Sequence, residues 1–387
     1  MIPLLTPNIC GNEWQYVREC LDTEWVSTAG EFVELFEQKI TDFTGAKYAI
    51  ACINGTSALQ VSLRIAGVEP HDEVIVPTLT FIAPINAIHY NYARPIFFDV
   101  DCHYNIDVGK VSSFLEKETF FQKGFTYNRK TGRRISAIIP VHMWGNAVDI
   151  ASLVSLCQEY NIEIVEDASE SLGTYYLNGK FEGRHSGTLG ELGCISFNAN
   201  KIITTGGGGM IITNDIKLAE EAHYLTTQAK DDPVKYIHNE VGYNFRLTNI
   251  QAALGLAQME QLPKFLKRKK EIYDQYTEGI KEIVGLEMAA VPDYSQNNHW
   301  LNLLQIDSKA YGFSAEILLE KLKKRGIQTR PVWKLNHLQK PYRKCQSYKI
   351  ETATKLQNNS LCLPSSTKLT RNELQIIIKN LSNNESE

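Results

Sequence analysis

The sequence predicts an α/β protein built on a mainly parallel seven-stranded sheet, followed by a smaller α+β unit. Three observations carry this. Short apolar runs ending near Ile53, Val76, Val100, His142, Glu166, Asn198 and Asn214 alternate with helical patterns, the signature of helices crossing over a buried sheet. From Ile162 to Asn214, polar residues fall just past the apolar runs: Glu166-Asp167-Ala168-Ser169-Glu170 after the first, Lys201 after the second. In an open parallel sheet a ligand sits outside the carboxyl ends of the strands, where these residues lie. After Thr248 the pattern changes to one long helix and then short mixed elements. A chain of 387 residues can hold two such cores, and the expected units are residues 1–250 and 251–387.

Taken in order, Asn12 to Asp22 and Glu31 to Phe43 read as amphipathic helices joined by the non-helical link Trp25 to Gly30. A strand over Tyr48 to Ile53 runs into Asn54-Gly55-Thr56-Ser57 and a helix. A glycine turn that opens a helix leaves NH groups aimed outward, which suits a phosphate; Thr56 or Ser57 could equally cap that helix. Glu73 to Pro77 is a buried strand, and Arg94 to Val100 and Ile135 to His142 supply two more. Between these, Thr119 to Arg134 carries Lys123, Arg129, Lys130, Arg133 and Arg134. It reads as a solvated loop or hairpin, or as a basic surface for a substrate diphosphate. Gly206 to Gly209 precede the last strand and imply close backbone approach. The helix from Thr248 to about Ile283 is interrupted by Pro263. Trp300 to Ile306 and Gly326 to Pro331 read as strands, Ser314 to Arg325 and two later segments as helices, and Asn380 to Glu387 as a frayed end.

Composition excludes several classes of function. With 40 basic and 44 acidic residues the net charge is -4, which offers no basic field for nucleic acid. The eight cysteines show no CxxC pair or Cys/His metal spacing, so free thiols in a reducing compartment and no metal are expected. Met1 to Pro7 lacks a basic start and a long apolar core, and no stretch approaches the roughly 18 apolar residues of a membrane span. A cytoplasmic protein is expected. No strand is followed by GxGxxG or GxxxxGK[ST], so dinucleotide and P-loop chemistry lack support.

What remains is the chemistry of Lys201 and Asp167. An apolar, glycine-flanked setting disfavours the charged form of a lysine and lets it condense with an aldehyde. Pyridoxal phosphate needs such a lysine, an acid for its ring nitrogen, and donors for its phosphate. Asp167 suits the ring nitrogen and the Gly55-Thr56-Ser57 turn the phosphate. Either residue alone reads better as a helix cap or a solvated loop lysine; their placement on adjacent strand ends favours the cofactor.

The same residues resemble the DegT/StrS group of pyridoxal-phosphate-dependent sugar aminotransferases. The matches are Val165 to Glu170, Ile195-Ser196-Phe197-Asn198 with Lys201, Thr205 to Gly209, Val241 to Leu247, and Gln251 to Leu256. They keep the family's order over nearly the whole chain. The resemblance implies the fold type I architecture of aspartate aminotransferase, a homodimer with shared sites, and glutamate as amino donor. It implies Lys201 as the cofactor lysine, Phe81 stacked on the ring, Glu170 near the ring hydroxyl, and Ser196 with the turn on the phosphate. Asn244 and Arg246 match positions that reach a neighbouring subunit's phosphate and the donor carboxylate, and Ser27 and Thr28 lie in the link near the sugar nucleotide. The family usually has an acidic residue where Gly207 stands. His142 also matches a recurrent segment but reads as a packed histidine. Segments Pro7 to Trp14, Thr119 to Arg134 and Thr204 to Gly207 resemble the legionaminic-type branch, which implies C4 amination of a UDP-linked 4-keto-6-deoxy-N-acetylhexosamine for a bacterial surface glycan. GDP- or dTDP-linked 4-keto or 3-keto sugars are the alternative. A related sugar dehydratase typically has histidine in place of the lysine, and a non-catalytic sensor would need a DNA-binding module or a basic face.

Overall fold

The computed structural model describes residues 1–382 except residue 233. Strands form in each of the seven predicted runs: β1 (Tyr48–Cys52), β2 (Glu73–Pro77), β3 (Arg94–Phe98), β4 (Ile135–Ile138), β5 (Glu163–Asp167), β6 (Leu192–Ser196) and β7 (Gly209–Thr213). Their order across the sheet is β1-β7-β6-β5-β4-β2-β3, and a short strand from far along the chain, Ser347–Tyr348, adds an eighth beside β3. Only β7 runs against its neighbours; the pairs β6/β5, β5/β4, β4/β2 and β2/β3 are parallel.

Both faces of this sheet are covered, which is why its strands are continuous apolar runs and not alternating ones. In β2 the side chains divide by parity: Val74 and Val76 pack with Leu59, Phe97 and Val165, while Ile75 packs with Ile96, Phe98 and Ile138. The helices begin at side-chain caps. Asn54 accepts the Ser57 NH at 2.8 Å to open the helix Gly55–Ile65, so the cap is Asn54 and not Thr56 or Ser57. Asp107 and Asp149 do the same for the helices Val108–Glu118 and Ile150–Tyr160. Residues Thr119–Gln122 and Phe125–Asn128 form an antiparallel hairpin.

Thr248 and Gln251 form a reciprocal capping box for the longest helix, Asn249–Ile280. Pro263 does not interrupt it: the helix continues on both sides. A proline removes one NH and its ring crowds the preceding turn, but packing holds this helix on either side of it. Ala252, Ala253, Met259, Leu262 and Phe265 pack with Phe36 and Ile40 of the chain's second helix, Glu31–Thr44. Ile272, Tyr276 and Ile280 pack on a second sheet. That sheet is antiparallel, ordered Leu286–Met288, Asn302–Ile306, Ser360–Leu363, Arg330–Pro331. The expected strand Gly326 to Pro331 joins this sheet only through its last two residues. Ile2 bridges Ile327, so the first residues of the chain join this second core. Asn380 to Ser382 close the helix Arg371–Ser382; the rest of the expected frayed end lies outside the described residues. Among those residues, no helix is long and apolar enough to cross a membrane.

Candidate active site

Asp167 ends β5 and Ser196 ends β6, so the parallel pairing Asp167↔Cys194 brings the two side chains to one edge of the sheet. Past Ser196 the chain makes a loop closed at its base: Phe197 NH donates to Gly208 carbonyl at 2.9 Å, and Thr205 NH donates to Phe197 carbonyl at 3.0 Å. Lys201 sits on this loop, its NH bonded to the Asn198 carbonyl at 2.9 Å. Two glycines make the closure possible. Gly208 has φ +109°, a conformation side chains disfavour. A Cβ at Gly209 would lie 2.5 Å from the Asn54 carbonyl carbon, so the strand can approach the Asn54 turn only as glycine. The expected close backbone approach is therefore present.

A cavity of ≈ 550 Å³ opens at this edge. Gly55, Thr56, Ser57, Phe81, Asp167, Glu170, Ser196 and Lys201 all line it. The Lys201 ammonium lies 3.4 Å from Glu170 Oε1 and 4.2 Å from the centre of the Trp300 ring. Glu170 is fixed from behind by the Trp144 NH on Oε2 at 2.9 Å. Burial pushes the Glu170 carboxyl above its ordinary range, with Lys201 pulling the other way. Burial does the same to Asp167, against the Ser169 hydrogen bonds and the Lys201 charge. Asp167 accepts the Ser169 NH at 3.0 Å.

These residues fit pyridoxal phosphate. A buried carboxylate that lines the cavity can face a protonated ring nitrogen, and in this apolar place a cation is what would relieve its desolvation. The Gly55 and Thr56 NH groups that open the helix Gly55–Ile65, with the Thr56, Ser57 and Ser196 hydroxyls, can receive a phosphate. Lys201 is within the same space for the aldehyde.

Glu166, next to Asp167, does a different job. It is fully buried, and its carboxylate accepts from His142 Nε2 at 2.8 Å and from the NH groups of Gly187, Leu189 and Gly190 at 2.9, 2.7 and 2.7 Å. His142 Nδ1 accepts the Val148 NH at 3.2 Å, which puts the ring proton on Nε2. His142 is a packed histidine, as the sequence suggested.

Four expected residues are not at this cavity. Ser27 and Thr28 lie at the start of the long helix, where the Ser27 carbonyl accepts the Asn249 NH at 2.6 Å. Asn244 is exposed, and Arg246 borders a separate hollow with Tyr48, His223 and Lys230. Thr119 to Arg134 contains the hairpin of one reading but not the diphosphate contact of the other: Arg134 Nε pairs with both Asp72 oxygens at 3.1 and 3.0 Å, and Arg133 lies 3.9 Å from Glu73. Asp72 and Glu73 sit at the amino end of β2, the far edge of the sheet from Lys201, while Arg129 lies over Phe120. These arginines cannot meet a diphosphate bound at the cavity of their own chain. Sequence reasoning missed Trp300 and Trp333, which line the cavity from beyond the long helix. Trp333 stacks on Trp144 with ring centres 4.9 Å apart and meets Phe81 at 6.0 Å.

The chain matches the model of the DegT/DnrJ/EryC1/StrS aminotransferase family over residues 7–382. It is 34% identical over 379 residues to a GDP-perosamine synthase of Caulobacter vibrioides, covering 97% of this chain and 96% of that one. It is 30% identical to the spore coat polysaccharide biosynthesis protein SpsC of Bacillus subtilis, covering 98% and 95%. The crystal structure of the aminotransferase TlmJ from Streptoalloteichus hindustanus superposes with TM-score 0.87 at 26% identity, covering 99% of this chain and 98% of that one. The fold, the lysine at the sheet edge and these matches agree: the chain belongs to the DegT/DnrJ/EryC1/StrS aminotransferase family and is a pyridoxal-phosphate-dependent sugar aminotransferase.

Proposed function

We propose that the enzyme moves an amino group from glutamate to C4 of a nucleotide-linked 4-keto-6-deoxy sugar, the substrate being the UDP-linked N-acetylhexosamine. The observation that carries the chemistry is one cavity lined by Lys201, Asp167 and the Gly55–Ser57 turn. Pyridoxal phosphate, once bound, supplies the electron sink for amino transfer. Asp167 keeps its ring nitrogen protonated, and Phe81 covers one side of the space. Lys201 would hold the cofactor's aldehyde carbon and, with its amine free, would serve as the base for the proton on the donor carbon. Glu170 is the nearest carboxylate to that amine and steadies it.

The sugar assignment rests on the resemblance of Pro7 to Trp14 and Thr204 to Gly207, since the hairpin arginines no longer support it. The GDP-perosamine synthase relatives favour a second reading, a GDP-linked 4-keto-6-deoxyhexose. The two differ in the nucleotide and at C2 of the sugar. A site that hydrogen-bonds an N-acetyl group leaves its own buried polar groups unpaired with the hydroxyl analogue, so discrimination should be strong. Comparing kcat/KM for UDP-linked 4-keto-6-deoxy-N-acetylglucosamine with GDP- and dTDP-linked 4-keto-6-deoxyhexoses decides between them; preference for either of the latter removes the first reading.

We further propose a homodimer with shared sites, supported by the absence of Asn244 and Arg246 from their own chain's cavity. Inactive Lys201→Ala and inactive Asn244→Ala chains, mixed and allowed to exchange, should regain part of the activity. No recovery after proven exchange rejects the sharing.

A further inference from the structure

Trp300 belongs to the chain beyond the long helix, yet every polar atom of its backbone and ring is committed to the neighbourhood of Lys201. Its indole NH donates to the carbonyl of Asn200, the residue before the lysine, at 2.6 Å. Its backbone NH donates to Asn298 Oδ1 at 2.9 Å, and the Asn298 amide in turn donates to the carbonyls of Glu170 and Leu172 at 2.8 and 3.0 Å. Its carbonyl accepts from the Lys269 ammonium at 2.7 Å, which also donates to the Ser365 carbonyl. Lys269 is 3% exposed and, among the described residues, makes no ion pair. Burial brings its amine down to about 7. A buried lysine spent on two carbonyls is costly unless those carbonyls must be held.

What this framework fixes is the face of the Trp300 ring, 4.2 Å from the Lys201 ammonium, with Glu170 Oε1 as the second contact. A cation over an indole face in a desolvated place is a favourable contact, and here both partners are anchored. Glu170 and Trp300 are tied to each other through Asn298, so the two supports of the amine move as one body.

We propose that Trp300 is a positioning residue that holds the free Lys201 amine at its working place, linking the second sheet to the catalytic lysine. This rests on the reading of Lys201 as the cofactor lysine. While the lysine is unbonded it would otherwise swing on its four-carbon stem, and each return costs the entropy of finding one geometry again. The ring face and Glu170 remove that search without a covalent bond.

The test is made first on cofactor-free protein, by mild acetylation with an amine-reactive ester and peptide mapping, with exposed Lys180 as internal reference. Trp300→Leu should raise the acetylation rate at Lys201 about tenfold, the size expected for loss of a desolvated cation–π contact. Trp300→Phe, which keeps a ring face, should stay within about threefold of wild type. Should the leucine variant not fold, Trp300→Gln makes the same comparison. In the loaded enzyme Trp300→Leu should lower kcat about tenfold with KM for the sugar unchanged. A wild-type acetylation rate in the folded leucine or glutamine variant overturns the proposal, as does a phenylalanine variant as reactive as the leucine one. Borohydride fixation of the cofactor in the wild-type enzyme reports separately on Lys201: a label on another lysine removes that reading whatever the acetylation rates are.

Discussion

Asp167→Asn should separate folding from chemistry at a single side chain. Asp167 is 4% exposed, and burial holds its carboxyl above the ordinary range of 3.8. A carboxyl whose folded pKa exceeds its unfolded value binds its proton more tightly when folded. Its contribution to stability is then largest below the unfolded pKa and is lost as pH rises through the folded one. Asparagine carries no such penalty. Without cofactor, the variant should therefore melt no lower than wild type at about pH 8, and its advantage should shrink at about pH 4. With cofactor the order reverses, because the carboxylate gains a cationic partner and asparagine cannot replace it. A charge-assisted hydrogen bond in such a place contributes about 1.5 to 3 kcal/mol, which corresponds to a loss of roughly 10- to 150-fold in rate. Calorimetry of the cofactor-free proteins and single-turnover reaction with glutamate, the donor proposed above, measure the two effects independently. A near-normal half-reaction rate refutes the role assigned to Asp167, and a variant that melts far below wild type without cofactor refutes the argument from burial.

Two further predictions concern charged residues that do not line the cavity. Glu166 has its pKa lowered although burial alone raises it, because the His142 contact and the NH groups of Gly190 and Leu189 outweigh burial. The stability it contributes is present above the ordinary carboxylate value of 4.5 and is lost as pH falls through the lower folded value. Glu166→Ala should cost about 3 kcal/mol or more at neutral pH, since three NH groups and an imidazole lose their acceptor. Urea unfolding from neutral to acid pH should show the gap to wild type closing, and a pH-independent gap would reject the ionic account. Arg134→Ala should lower stability by about 1 to 3 kcal/mol through loss of the Asp72 pair. It should leave kcat/KM for every nucleotide sugar within about twofold, as expected of a surface change away from the site; a substrate-specific loss without a change in melting would return the hairpin to the pocket.

The site's centre was legible because its residues follow strand ends. Asp167 and Lys201 could be placed together without coordinates, since a parallel sheet exposes the carboxyl ends of neighbouring strands on one edge. Gly208 and Gly209 were legible in the same way, as residues needed where backbone passes close to backbone. The helix cap was not, because Asn54, Thr56 and Ser57 can all accept an NH and only the extended backbone of Asn54, φ -167° and ψ 165°, selects it. Trp300 and Trp333 carried no local signal at all. Each lies beyond the long helix in the chain yet packs with the core of the large sheet, where it reaches Lys201 or Trp144.

The basic hairpin shows what kind of information was missing. Its charge was evident, and a substrate diphosphate was a plausible partner for it. The actual partners, Asp72 and Glu73, were equally visible as the residues that begin β2, and Arg133 and Arg134 as those that lead into β4. What the residues could not state was that β2 and β4 are neighbours, although β3 lies between them in the chain. Once that adjacency is known, two parallel strands starting side by side must bring their amino ends together, and the arginines and carboxylates pair there. The same adjacency removes them from the carboxyl edge, about five residues of strand away at roughly 3.3 Å each. That distance exceeds the reach of an arginine side chain, so the donors for the diphosphate have to come from elsewhere: NH groups at the cavity, side chains of the second unit, or cations of a partner chain.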